Sequence, residues 1–225
     1  AGTVPASKPV VGILQAVRNR AFFFISSAYF VCGFTGHVIG AHLVLWALDQ
    51  GFSEMTAATA LGLMGGTNAL GILVMGAVSD RLGRKFPLGL VYLLRGLSFF
   101  LIFWARSESS LILFSLVFGF STFATAPITS ALVGDLFGAR SVGRLYGAVT
   151  LFHQVGAGLG VYLAGLTFDL TGTYLWVFAA SAIMLGFAAI LSWTAPTGSG
   201  CFPVNLRSGL ARPARPEGTG ARPPA

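Results

Sequence analysis

The chain has 225 residues, of which 14 are Lys or Arg and 7 Asp or Glu, so 9% are charged, against about 25% in a typical globular chain. Hydrophobic residues make up 55% and the mean hydropathy is +0.79, which leaves too little polar surface to cover a water-exposed globule and excludes an ordinary soluble protein. The solvent must be lipid, and the net charge of +7 has to be explained in that setting.

Residues 1–20 carry Thr, Pro, Ser and Lys without the short apolar core and small-residue cleavage site of a signal peptide, and read as a cytoplasmic linker. Charge-free runs then occur at Ala21–Leu48, Met55–Ser79, Ser109–Gly134 and Leu145–Phe168, each 24 to 28 residues long. A hydrocarbon core of about 30 Å needs about 20 helical residues. The chain therefore predicts six spans, at roughly 22–46, 57–78, 87–105, 110–133, 145–166 and 174–194. Span three holds one charge, Arg95, and span six lies in the charge-free run Leu170–Leu206. The strands of a β-barrel would be about 10 residues long and alternate polar with apolar, unlike these continuous runs. An all-α membrane protein follows, with residues 21–194 as a six-helix transmembrane domain. Residues 195–225 hold six of the ten prolines and five glycines and predict a disordered cytoplasmic tail. Cys32 sits in a span and Cys201 in the tail, so there is no disulfide framework.

Basic residues resist export and set orientation. Lys8, Arg18 and Arg20 precede span one; Arg81, Arg84 and Lys85 lie between spans two and three; Arg140 and Arg144 lie between four and five; Arg207, Arg212, Arg215 and Arg222 follow span six. Twelve of the fourteen basic residues thus fall on one side, which puts both termini in the cytoplasm. The net charge is a basic inner face and needs no nucleic-acid partner.

The most specific local motif is Gly76-Ala77-Val78-Ser79-Asp80-Arg81-Leu82-Gly83-Arg84-Lys85. It reads as a tight turn: Gly83 lets the chain reverse, Asp80 is expected to accept from amides at a helix start, and Arg84 with Lys85 to anchor at the headgroups. Gly, Asp-Arg, Gly and Arg-Lys at this spacing, after span two of six, resemble the loop motif of the major facilitator superfamily. The resemblance extends to Gly134-Asp135-Leu136-Phe137-Gly138-Ala139-Arg140, to Gly143 with Gly147, and to Asp169 with Gly172. Together these resemble the carboxyl-terminal six-helix half of such a transporter, in the branch of the monocarboxylate carriers and their bacterial relatives. The resemblance implies a secondary transporter working by alternating access in a bacterial inner membrane. It gives Asp80, Arg81, Gly83, Arg84, Lys85, Asp135 and Arg140 structural or gating roles. Family members normally have twelve helices, so six implies a fragment, a split gene or a half-size dimer; the lack of an initiator Met favours a fragment. The expected partners are a small solute, the bilayer, and a missing amino-terminal half or a second copy.

Pairs of glycines four apart, Gly36/Gly40, Gly62/Gly66, Gly143/Gly147 and Gly156/Gly160, are expected to make close helix contacts. Gly156-Ala157-Gly158-Leu159-Gly160 lacks the preceding strand of a nucleotide-binding turn, and no cofactor is expected. Pro127 removes one helical hydrogen bond and should kink span four.

Polar groups at membrane depth are costly unless paired or wetted, which makes His37, Asn68, His153 and Gln154 the candidates for solute binding or proton coupling. The competing reading for each is a hydrogen-bonded packing residue. His37 lies on a face of small and polar residues with Ser26, Tyr29, Gly33 and Gly40, whereas His42 is displaced by about 140° around the helix, which disfavours a metal pair on one face. In the family fold spans one and four line the cavity and two and five flank it, so the resemblance implies the same positions. Arg95 must meet a carboxylate, a carbonyl cluster or water. The third span is peripheral to the cavity in the family, which favours a structural or gating role, with Asp135 as one candidate partner. Where monocarboxylate and oxalate carriers are expected to hold a basic residue, in span two or five, this chain has Asn68 and His153/Gln154, so the solute's charge stays open. A non-transporting scaffold or sensor would call for a folded soluble domain. An intramembrane enzyme would need a carboxylate pair, a Ser-His-Asp set or metal-ligand spacing, and none is present.

Overall fold

The computed structural model describes residues 10–195. Lys8 and the expected tail with Cys201, Arg207, Arg212, Arg215 and Arg222 lie outside the described residues. Among the described residues eight α-helices follow in order: α1 Ile13–Val17, α2 Arg20–Asp49, α3 Glu54–Leu82, α4 Lys85–Phe103, α5 Glu108–Thr122, α6 Thr125–Phe137, α7 Val142–Thr171 and α8 Leu175–Thr194. A 3-10 turn, Ala139–Ser141, joins α6 to α7, and no strand occurs among the described residues. Six units among the described residues are long and apolar enough to cross a membrane: α2, α3, α4, α5 with α6, the 3-10 turn with α7, and α8. The protein is an all-α, multi-pass integral membrane protein. The stretch expected as a linker contains α1, whose Ala16 is fully buried, and the Val11 amide donates to Ser141 Oγ at 2.9 Å.

Helix starts are marked by acceptors for amides that lack a partner in the first turn. Asn19 accepts from the Ala21 amide at 2.8 Å, and Ser53 from the Thr56 amide at 3.1 Å. Ser107 and Ser110 form a reciprocal capping box at the start of α5. At the far end of α3, Gly83 takes φ +81° and closes the turn into α4, a conformation that only glycine adopts cheaply.

The main packing is pairwise: α2 with α7, α4 with α8, and α3 with α5. Lipid tails are as apolar as leucine, so small residues that admit a neighbouring backbone decide where helices meet. A Cβ at Gly33 would overlap the His153 carbonyl, one at Gly156 the Phe30 carbonyl, and one at Gly160 would lie 2.6 Å from the Phe34 oxygen. The α2 and α7 backbones therefore touch. Gly71 against Phe120, and Gly119 against Met64, join α3 to α5 in the same way. Of the four glycine pairs expected to make close contacts, Gly156/Gly160 does so at both members. A Cβ at Gly36 would reach the Thr122 methyl at 3.8 Å, while Gly40, Gly62, Gly66, Gly143 and Gly147 have nothing within 4 Å. Spacing by four puts two glycines on one face without saying which face meets a neighbour.

Phe99, Phe114, Phe118, Ile39 and Leu43 are fully buried between the helices, while Leu70, Leu73, Leu151, Val155, Ile183 and Phe187 stand exposed. An apolar exterior of this extent is suited to lipid. Trp104 and Trp176 are exposed at one end of the bundle and Trp193 at the other, the positions that amphipathic rings occupy at the two membrane surfaces.

Span four is two helices. α5 stops at Thr122 and α6 begins at Thr125, while Phe123 (φ −97°, ψ −1°) and Ala124 (φ −58°, ψ −23°) keep near-helical dihedrals. Pro127 has no amide proton to offer the carbonyl four residues back, and the Phe123 carbonyl accepts instead from Ala126 at 3.1 Å. The interruption is a local loss of helical hydrogen bonds beside Pro127.

Candidate solute site and gating cluster

The close approach of α2 and α7 at Gly33 brings together side chains far apart in the chain. His37 and His153 meet edge to face, ring centroids 5.5 Å apart and planes at 78°. Tyr29 lies against His153 at 4.7 Å, and its hydroxyl is 2.9 Å from that of Tyr146. His37 Nδ1 is 3.0 Å from the Gly33 carbonyl oxygen, and His153 Nδ1 is 2.9 Å from Gln154 Oε1. The Gly33 carbonyl can only accept, which places a proton on His37 Nδ1, whereas the Gln154 carboxamide has both an acceptor oxygen and a donor nitrogen. His153 is buried, His37 is half-buried and Gln154 is exposed, so the cluster opens through His37 and Gln154. Chemically it offers two protonatable rings, a carboxamide and a hydroxyl pair on two touching helices.

His42 faces away from this group. Its Nε2 lies 3.2 Å from the Val161 carbonyl oxygen and its Nδ1 3.3 Å from the Tyr174 hydroxyl, so it is a buried packing residue between α2, α7 and the start of α8. Among the described residues no group of three or more His, Cys, Asp and Glu is placed to hold a metal ion.

Asn68 and Arg95 converge on the interruption of span four. Asn68 Oδ1 accepts from the Phe123 amide at 3.0 Å. Arg95 is fully buried; its Nη2 donates to the Ser121 carbonyl at 2.5 Å and to the Thr122 carbonyl, and its Nη1 lies 3.2 Å from Cys32 Sγ. Cys32 in turn is 3.1 Å from Thr125 Oγ1. The expected pairing of Arg95 with Asp135 does not occur. Arg95 finds the carbonyl cluster within the bundle, whereas Asp135 sits at the end of α6 and accepts from another arginine.

That other arginine is Arg84. Its Nη1 donates to Asp80 Oδ1 at 2.5 Å and to Ser79 Oγ at 3.1 Å, and its Nε to Asp135 Oδ2 at 3.3 Å. The hydrogen bond to Asp80 first, and Asp135 behind it, push the guanidinium pKa up against a lowering by burial. One expectation for this turn is corrected. Asp80 belongs to the last turn of α3 and binds the Arg84 side chain, while α4 starts without a side-chain cap. Lys85 Nζ donates to the Ala195 carbonyl, so Arg84 and Lys85 both find partners at helix ends of the bundle. Arg81 and Arg140 are exposed.

The Tyr29–Tyr146 hydroxyl pair and the Cys32–Thr125 contact escaped sequence reasoning. Their only signal is a polar group on the inner face of each helix, which does not name the partner.

The Major Facilitator Superfamily pattern matches residues 22–200. The chain is 31% identical over 180 residues, 77% of its length, to the uncharacterized MFS-type transporter YcxA of Bacillus subtilis, and 29% identical over 164 residues, 70% of its length, to monocarboxylate transporter 13 of Rattus norvegicus. These alignments cover 44% and 38% of the relatives, so the chain spans less than half of either. In structure it superposes on the fucose:proton symporter FucP of E. coli with a TM-score of 0.69 at 15% identity, covering 83% of this chain and 46% of that one. That likeness shows the fold alone.

Proposed function

Because the chain belongs to the Major Facilitator Superfamily, we propose that it forms the carboxyl-terminal six-helix half of a secondary active transporter that moves a small solute by alternating access. Two six-helix bundles would rock about a site near the midplane, the second being an amino-terminal half or another copy of this one. The distribution of basic residues supports cytoplasmic termini, and the Bacillus subtilis relative supports a bacterial plasma membrane.

His37, His153 and Gln154 form the solute and proton site of this half, with Asn68 as a flanking polar group. The observation that carries this reading is the contact between His37 and His153, which joins two titratable rings at membrane depth on neighbouring helices. Likeness to a monocarboxylate transporter supports a small organic anion as solute. Arg95 is buried and engaged with main-chain carbonyls. In this half the cation that meets a carboxylate is then a protonated imidazole, and acid and proton travel together.

The test is uptake of radiolabelled lactate or pyruvate by the complete transporter in proteoliposomes. An inward proton gradient should drive accumulation that a protonophore abolishes. Equal uptake with and without the gradient, or none of either acid, would remove the proton-coupled monocarboxylate reading.

A further inference from the structure

We infer that Arg95 is the positioning residue of a hinge in span four: its guanidinium replaces the helical hydrogen bonds missing near Pro127 and holds α5 and α6 in their relative orientation. The inference does not depend on which solute the histidines carry.

Three features of the interruption support it. The carbonyls of Ser121 and Thr122, at the end of α5, are bound by one nitrogen of Arg95 from α4. Asn68, from α3, takes the Phe123 amide at 3.0 Å. Thr125, at the start of α6, is joined to α2 through Cys32, which Arg95 also contacts. The Arg95 guanidinium and the Asn68 carboxamide thus hold main-chain groups that an unbroken helix would pair internally, and Arg95 reaches the α6 side of the gap through Cys32 and the Thr125 hydroxyl.

The surroundings are those of a joint that can move. Phe123 and Pro127 are exposed and Asn68 is half-buried, so one flank of the break is not packed against the other described helices. The dihedrals of Phe123 and Ala124 lie close to helical values, and a modest change there would bend α5 against α6. Hinges of this kind absorb their motion in a few residues at the ends of elements. Arg suits the position because its planar fork directs several donors from one permanently charged group, while Lys offers a point charge. The Arg95 Nε has no partner, so the group is anchored at its tip and not along its whole edge.

Hydrogen exchange read by mass spectrometry on the complete transporter in nanodiscs tests this directly. Arg95→Met should raise the exchange rate of peptides within 118–130 by tenfold or more, with peptides from 158–171 unchanged. Arg95→Lys should restore part of the protection, and Asn68→Ala should raise exchange in the same segment. Pro127→Ala, which returns an amide to the helix, should slow it. Should Arg95→Met fail to fold, the Arg95→Lys, Asn68→Ala and Pro127→Ala series decides the matter alone. Unchanged exchange within 118–130 in that series, or a rise spread evenly over all helices, would overturn the hinge and leave Arg95 as a general packing residue.

Discussion

Arg84 bridges two carboxylates at once: its Nη1 lies 2.5 Å from Asp80 Oδ1 and its Nε 3.3 Å from Asp135 Oδ2. One cation on the turn after α3 thereby ties the end of that helix to the end of α6. Asp80 and Asp135 are largely exposed, and an exposed pair contributes about 0.2–1 kcal/mol. That is too little to hold a fold together and enough to bias two conformers of similar energy.

Asp80→Asn should therefore leave membrane insertion and thermal stability close to wild type and slow transport by the complete protein severalfold. Initial uptake rates, normalised to the amount of protein in the membrane, check this. A rate equal to wild type at normal expression removes the gating role of the turn.

The Arg84 turn and both termini should be cytoplasmic. A cysteine introduced beside Arg84 in a cysteine-free background should react with a membrane-impermeant maleimide in inside-out vesicles and not in intact cells. Labelling from the outside alone would invert the topology.

His37→Gln and His153→Gln should each weaken the apparent solute affinity by roughly tenfold, the effect of losing about 1.4 kcal/mol, and flatten the pH dependence of uptake. Gln can donate and accept but cannot carry the proton. His42→Gln should leave affinity and pH profile as they are, since His42 is engaged with Val161 and Tyr174. The assignment fails if uptake by both site variants follows the wild-type pH curve with unchanged KM.

Gly33→Val and Gly160→Val should each separate α2 from α7, because the added atoms fall on the backbone of the facing helix. Overpacking of a tight contact costs about 1–3 kcal/mol, so both should lower the midpoint of thermal unfolding in detergent. Gly186→Ala on α8, with nothing within 4 Å, should be neutral or slightly stabilising. Equal midpoints for all three would mean that the α2–α7 contact is looser than its geometry.

The six spans were legible in the sequence because lipid demands long apolar runs, and their order alone placed Arg84 and Asp135 at the same end. Pro127 announced the interruption of span four, since a missing amide acts within its own helix. What the sequence left open was which helix answers which. Gly156/Gly160 and Gly62/Gly66 have the same spacing, yet only the first meets a backbone. Asn68 was legible as a polar group at depth but its partner, the Phe123 amide, was not, while Arg95 could be assigned a type of partner but not its address. The small-residue face of span one placed His37 inward; the ring contact with His153 depends on the depth to which Gly33 admits α7, a quantity no single helix encodes.

The position of Arg95 also constrains how the protein is made. Span three leaves the ribosome before span four, so the guanidinium enters the translocon ahead of the Ser121 and Thr122 carbonyls that receive it. A central arginine costs about 2.5–3.5 kcal/mol on insertion scales, and until its partners arrive span three carries that charge with only earlier-made groups such as Cys32 to meet it. Spans three and four should accordingly pass into the bilayer as a pair, with the nascent chain held at the protein-lined exit until the second of them is complete.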